Sequence, residues 1–394
     1  MKILFISDLL SERVIKDIYE RKKNNPNYAV QKFNRLLAKG FISNGCKVTA
    51  LSNPPITRAV TNKAWVNINN EFESDIEYNY IAFLNFPVIK HLFIFFRTFL
   101  YILFWGGAKK NEKVIVCDVL KISGCMGAIA ASFINGVKIT GIVTDVFNQQ
   151  VGSSLGIKSR ISAFINSAYI SSFDYYVLLT EQMNELVNPR QRPFIVMEGL
   201  CDNTVTDEQI NQSAKVKPKT ILYAGGLFVE YGVKMLVDSF ISLKRNDAKL
   251  VIYGNGPYAL ELARVAKEYD NIDYRGVALN EDVVKAELEA TLLVNPRFSS
   301  GEFTKYSFPS KNMEYMTTGT PLLTTKLPGM PQEYYHYVYL FDHETVEGYA
   351  RCIDHIIDSD PFELTQKGQD ARSFVLLNKN NKQQTARILL LMKK

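Results

Sequence analysis

Short apolar and β-branched runs alternate along the chain with longer stretches whose apolar residues return at helical spacing. Runs of the first kind read as buried strands and those of the second as helices, and their regular alternation is the pattern of parallel sheets wrapped by helices. In the first half the pattern predicts strands at Ile3–Ser7, Lys47–Leu51, Tyr80–Phe86, Lys113–Cys117, Lys138–Val143, Tyr175–Leu179 and Phe194–Met197. A helix is predicted over Val30–Ser43, closed by the C-cap pair Asn44-Gly45. The opening run Ile3-Leu4-Phe5-Ile6 meets Ser7-Asp8 too soon for a secretory signal and reads as a first strand.

Periodicity lapses between residues 201 and 219, where DNTVTDEQINQSAKVKPK has the composition of a linker. A second βα series follows, with strands at Thr220–Ala224, Lys249–Tyr253, Ile272–Arg275, Thr291–Asn295, Pro321–Thr325 and Tyr337–Phe341. The organisation expected is a first domain over 1–200, a linker over 201–219 and a second domain over 220–378. Residues 379–394 carry a helix, Gln383–Met392, expected to fold back on the first domain. Two domains also suit the length of 394 residues, since single cores seldom grow so large.

One segment strains the picture of two ordinary cores. Residues 87–107 contain Leu92-Phe93-Ile94-Phe95-Phe96 and Phe99 to Trp105, interrupted by Lys90, His91 and Arg97. The interruptions argue against a spanning helix. Two readings stand: a buried crossover helix, or a helix at a membrane interface with Trp105 and Lys109-Lys110 at headgroup level.

A formal charge of +6 suits phosphate ligands or an acidic membrane surface and is too mild for nucleic acid. With 47% hydrophobic and 22% charged residues the chain is neither disordered nor polytopic. The five cysteines are scattered, with no C-x-x-C pair, which implies neither a disulfide framework nor a zinc site and is simplest in a reducing cytosol.

Candidate chemistry gathers in Ser307-Phe308-Pro309-Ser310-Lys311-Asn312-Met313-Glu314, ahead of Gly319-Thr320-Pro321. A helix beginning with Ser307 or Ser310 as its N-cap places free N–H groups and Lys311 where a phosphate binds, and Glu314 one turn further on the same face. The Glu314 carboxylate there suits the two hydroxyls of a ribose. Gly225-Gly226 and Gly254-Asn255-Gly256-Pro257 each close a strand at the same end of the same sheet, where doubly wound folds bind ligands. Asp358-Ser359-Asp360 matches a D-x-D metal signature, but before Pro361 it reads as a turn with an N-cap, and no metal is expected.

With these turns in place the chain resembles the family 4 glycosyltransferases, retaining enzymes of the GT-B fold, along Ile221–Gly226, Gly232–Phe240, Val251–Pro257, Tyr274–Gly276 and Glu314–Pro321. The resemblance is good over about Thr220 to Phe341 and only in layout before that. It implies two Rossmann-like parallel-sheet domains facing a cleft, the second holding a nucleotide-diphosphate sugar. It implies transfer of the sugar to a growing, lipid-linked glycan acceptor, without metal or cofactor. The stretch Phe303–Lys311 looks like a subgroup active in bacterial capsule, O-antigen or exopolysaccharide assembly, hence cytoplasmic and peripheral on the inner membrane face. Donor contacts implied are Gly225, Gly226, Lys234, Gly254, Asn255, Gly256, Pro257, Tyr306, Ser310, Lys311 and Glu314, with Glu314, Glu302 and Asp145 as catalytic candidates. Glu198 lies near the domain junction.

Departures are equally visible. Gly226 and Tyr231 stand where the family has Arg and Lys, leaving Lys234, Lys311 or Arg297 to supply the charge. Tyr306 occupies the place of the family's first glutamate, with seven residues between it and the second, and Glu302 is the carboxylate that a longer loop would bring in; chemistry favours Glu302. A nucleotide-sugar epimerase of the same fold and an inert scaffold are the rival readings.

Overall fold

The computed structural model describes residues 1–20, 28–106, 109, 112–145, 168–201, 205–212 and 218–393. The chain divides into two compact units, one formed by Met1–Leu200 with Asn381–Lys394 and the other by Cys201–Asn380.

The first unit is built on an eight-stranded sheet. Its strands are β1 (Lys2–Ser7), β2 (Lys47–Ser52), β4 (Glu71–Glu73), β5 (Ile76–Tyr80), β7 (Lys113–Asp118), β8 (Lys138–Val143), β9 (Tyr175–Leu178) and β10 (Phe194–Val196). They run in the order β10-β9-β8-β7-β1-β2-β5-β4, all parallel except β4 against β5. Strands buried on both faces must be apolar throughout, which is why β1, β7 and β8 read so clearly in the sequence. One face packs on the Tyr28–Ser43 helix and on the Asn381–Leu391 helix, in a core shared by Phe5, Leu37, Phe41, Val48 and Ile388. The two helices are also tied by polar bonds: Asn44 Nδ2 donates to Thr385 Oγ1 at 2.9 Å and Asn381 Nδ2 to the Leu36 carbonyl at 3.2 Å.

The Pro87–Leu103 helix packs against the Ile122–Asn135 helix, buries Ile94, Thr98 and Ile102, and leaves much of its apolar surface in the open. No helix among the described residues is long and apolar enough to cross a membrane. Residue Gly107 and Lys110, both part of the interface reading, lie outside the described residues.

Residues 80–86 do not form the single strand expected of them. β5 ends at Tyr80, and β6 (Phe83–Leu84) pairs antiparallel with β3 (Trp65–Val66) before Pro87 starts the helix. The run is apolar because it is buried, not because it is extended.

The second unit carries a six-stranded, wholly parallel sheet in the order β13-β12-β11-β14-β15-β16. Its strands are β11 (Lys219–Ala224), β12 (Ala248–Tyr253), β13 (Ile272–Gly276), β14 (Leu292–Asn295), β15 (Leu322–Thr324) and β16 (Tyr339–Leu340). Residues read as linker belong to this unit. Asp207–Gln212 is a helix, and the carbonyl of buried Val205 accepts a 2.9 Å bond from the buried Arg372 guanidinium. Residues 202–204 and 213–217 of that stretch lie outside the described residues. A polar segment held by a distant arginine shows no periodicity of its own.

Candidate functional site

The three strand-to-helix turns come together at the carboxyl edge of the second sheet, fastened by specific bonds. The buried Tyr315 hydroxyl accepts from the Ala224 N–H at 2.7 Å and donates to the Ala224 carbonyl at 3.1 Å, clamping the Ser310–Thr317 helix to the end of β11. Asn312, also buried, accepts from Asn295 Nδ2 at 2.6 Å and donates to Thr324 Oγ1 at 3.3 Å, fixing the same helix to the ends of β14 and β15. Three strand ends thus hold one short helix, and Tyr315 ties it to the residue just before Gly225-Gly226.

The glycines on these turns serve close approach. Gly254 has φ 131°, and a Cβ there would run into the Gly225 carbonyl. Gly232 has φ 77° at the start of the Val233–Leu243 helix, where a Cβ would meet the Pro296 carbonyl. The first two turns are also joined through the backbone, the Leu227 N–H donating to the Asn255 carbonyl at 3.0 Å.

The helix start differs from expectation. Neither Ser307 nor Ser310 caps it: Pro309 is the N-cap residue, Ser310 is the exposed first helical residue, and no side chain bonds the first turn. The end therefore offers its N–H groups and the positive pole of its dipole to a ligand. Lys311 Nζ lies 2.8 Å from Glu314 Oε2. Burial opposes the Lys311 charge, but Glu314 and Glu287 outweigh it and push the ammonium's pKa up. Burial pushes the Glu287 carboxyl up to about 7, with Lys311 pulling it down and Glu314 adding to the rise.

The missing cation is best matched by Arg297, which follows β14. Its guanidinium lies over Tyr231 at 4.6 Å and Phe303 at 5.4 Å, with Nη1 3.4 Å from Ser307 Oγ and a buried Nε that has no hydrogen-bond partner among the described residues. Burial pushes its pKa down. So Tyr231, standing at the family's lysine position, presents its ring to the Arg297 guanidinium. Lys234 is engaged elsewhere, 2.9 Å from Glu261 and 3.7 Å from Asp238.

Glu302 does not take the place that chemistry assigned it. It opens a short 3-10 turn, Glu302–Lys305, with its side chain 63% exposed and 3.2 Å from Lys305. Tyr306 follows as that turn's C-cap and is half-buried. A surface pair of this kind contributes about 0–1 kcal/mol. Glu302→Gln is accordingly expected to keep donor turnover within about twofold, which steady-state kinetics checks.

Asp360 caps the Pro361–Asn378 helix, accepting from the Phe362 N–H at 2.8 Å, and Asp358 is bonded by Arg245 and Lys219. No group of ligating side chains that would hold a metal occurs among the described residues.

In the first unit Asp145 is exposed just beyond β8, and the residues after it lie outside the described ones; Glu198 is buried. Sequence reading passed over a polar cluster at the carboxyl ends of β1 and β7. Asp8 Oδ2 is 2.5 Å from Lys121 Nζ, and Asn34 Nδ2 donates to Asp8 Oδ1 at 3.3 Å. Burial pushes the Asp118 carboxyl up to about 6, Lys121 pulling against it and Asp8 adding to it. The signal was available, since both strands were read and an aspartate closes each.

Residues 205–372 match the family model described as glycosyl transferases group 1. That stretch is a glycosyltransferase domain. The glycines, Arg297 and the uncapped helix all fall inside the matched stretch. Solved structures of like fold span the whole chain. The Anabaena Alr3699/HepE protein in complex with UDP has a TM-score of 0.64 at 12% identity, with 99% of each chain covered. The sucrose-phosphate synthase of Thermosynechococcus elongatus has 0.63 at 12%, covering 99% and 98%. A glycosyltransferase of Rickettsia africae has 0.66 at 14%, covering 100% and 97%. At such identities the likeness is one of fold, and the fold is GT-B, two parallel-sheet α/β domains. No curated protein sequence matches the glycosyltransferase chain significantly.

Proposed function

We propose that the chain is a retaining glycosyltransferase that moves a hexose-type sugar from a nucleoside diphosphate to a lipid-linked glycan, in the assembly of a bacterial surface polysaccharide at the inner face of the membrane. The observation that carries this reading is the uncapped Ser310–Thr317 helix beside Gly225-Gly226, with Glu314 one turn in and Arg297 at the adjoining strand end.

In this reading the diphosphate sits on the free N–H groups of the helix, with Arg297 and Lys311 balancing its charge. Glu314 accepts from the two ribose hydroxyls, and the Gly254–Pro257 turn lies alongside. Tyr306, rather than the solvated Glu302, is the better placed of the two to orient the donor sugar. The leaving phosphate takes the acceptor proton on the face of the sugar it departs from, so no side-chain base and no metal are required. Turnover is expected to be unchanged by EDTA. The acceptor glycan would be gripped at the Asp8, Asp118 and Lys121 cluster, whose carboxylates suit sugar hydroxyls. What supports a lipid-linked acceptor is the open apolar face of the Pro87–Leu103 helix.

UDP is the first nucleotide to test, because HepE binds it. At 100 times its Kd a true ligand stabilises by about 2.7 kcal/mol, so a panel of nucleotide sugars read by thermal shift identifies the donor. Slow donor hydrolysis without acceptor supports a transferase; conversion to an epimer, or no turnover with any donor, sinks the proposal.

Arg297→Met is expected to weaken UDP binding about tenfold, the loss of one charge-assisted contact, while leaving uridine binding unchanged. Equal losses for nucleotide and nucleoside in calorimetric titration would mean that the arginine supports the fold and not the diphosphate.

A further inference from the structure

A cavity of about 1070 Å³ lies in the first unit between the Pro87–Leu103 helix and the sheet where β2 and β5 end. Leu92, Phe96, Leu100 and Phe104 line it at four-residue intervals, a single stripe along one helix face roughly 18 Å long at 1.5 Å per residue. Phe96, Leu100 and Phe104 are 56%, 50% and 82% exposed, so the stripe is unpartnered. Opposite it stand Leu51 and Ile81 at the carboxyl ends of parallel strands, where open α/β sheets receive ligands.

The charge is as one-sided as the polarity. Arg97 lines the cavity, and its one contact among the described residues is with the Trp65 ring, 5.9 Å away. Among the described residues no acidic side chain lines the cavity, and none occurs in the sequence from Pro87 to Gly106. Glu77, the nearby carboxylate of β5, is held by Thr49 and Asn79. An apolar trough with one unneutralised guanidinium complements a molecule with an apolar chain and an anionic head.

We infer that this groove holds the apolar chain of the lipid phosphate that carries the acceptor, with Arg97 on the phosphate. The inference rests on the glycosyl-transfer reading above and names the acceptor's lipid as its substrate feature. A second copy of the chain fits less well, because a two-fold contact through this face would set Arg97 against its own image. A peptide would bring backbone N–H and C=O groups to a wall with few polar partners. A flat bilayer surface has no use for the sheet-side wall.

The chain's two tryptophans, Trp65 and Trp105, both stand at this groove, so intrinsic fluorescence reports on it directly. Farnesyl phosphate, titrated below its micelle concentration, is expected to give a saturable blue shift. Farnesol should bind about tenfold more weakly and inorganic phosphate should do nothing. Arg97→Gln should bring farnesyl phosphate down to the farnesol level, and Leu100→Asp should abolish the response. The UDP thermal shift, measured on the same samples, should be unchanged in both variants, which certifies their folding. Loss of the UDP shift in the unmodified protein with farnesyl phosphate binding intact would strike the donor-site reading and leave the groove standing. The inference is overturned by an unsaturable response, by equal affinity for farnesol and farnesyl phosphate, or by a dimer that Leu100→Asp dissociates. It is overturned equally if phosphatidylglycerol vesicles bind as tightly as the same vesicles carrying a polyprenyl phosphate.

Discussion

Glu314→Ala should lower kcat/KM about 100-fold while leaving the thermal midpoint of the unliganded protein nearly unchanged. The carboxylate is 45% exposed and its partner in the free protein is Lys311, so little of the fold depends on it. Surface pairs within one helix contribute only a few tenths of a kcal/mol. With donor bound, its two ribose hydroxyls would each donate to the carboxylate, and losing two charge-assisted hydrogen bonds costs on the order of 3 kcal/mol. Glu314→Gln keeps the size and one acceptor oxygen, and should fall in between. The discriminating control is a donor whose ribose lacks its 2′-hydroxyl: the Ala variant should distinguish it from the ordinary donor far less than the parent does. Full activity in the Ala variant would dismiss the nucleotide site as drawn.

Glu287→Gln should alter stability in a pH-dependent way. In the unfolded chain this carboxyl titrates near its ordinary 4.5, and in the folded chain burial holds it near 7. The folded state therefore binds the extra proton between those values, and stability falls as pH rises through that window. At about 1.4 kcal/mol per unit the loss amounts to roughly 3 kcal/mol by pH 8. The contribution is fully present below pH 4.5 and gone above 7. An amide does not titrate, so the Gln variant should lack this share of the slope and gain on the parent between pH 5 and pH 8. Urea unfolding of the full chain at the two pH values measures it. The same slope in both proteins would mean that Glu287 ionises freely in the fold.

The fold was easy to read wherever burial and backbone direction coincide. Strands such as β1, β7, β11 and β12 are buried on both faces, and a continuous apolar run has little else to be. Where burial occurs without regular backbone, as at residues 80–86, the same apolar signal misled. The Pro87–Leu103 helix was ambiguous for a related reason. An apolar helix reads alike whether a core or a ligand covers it, and only packing shows that Ile94, Thr98 and Ile102 are inside while Phe96 and Phe104 are not. At the carboxyl edge of the second sheet the glycine turns were legible because the close approach they serve is local. Arg297 emerged only as one of three cations, since its selection depends on Tyr231 and Phe303 converging on it from other turns. Glu287 left no trace in the sequence, its burial being set by what packs over it.

The first unit draws its core from both sides of the second in chain order, because the Asn381–Leu391 helix completes the packing against the Tyr28–Ser43 helix. On the ribosome this imposes a delay. Residues 201–380 must all be synthesised before the closing helix exists, and at about 5–20 residues per second that takes roughly ten to forty seconds. For that interval the surface meant for Ile388 and Leu389 is without its cover while the second unit, contiguous in the chain, is free to fold. The unit that starts first finishes last, and the waiting apolar face beside Gly40 is where a nascent chain of this kind would be captured by a chaperone.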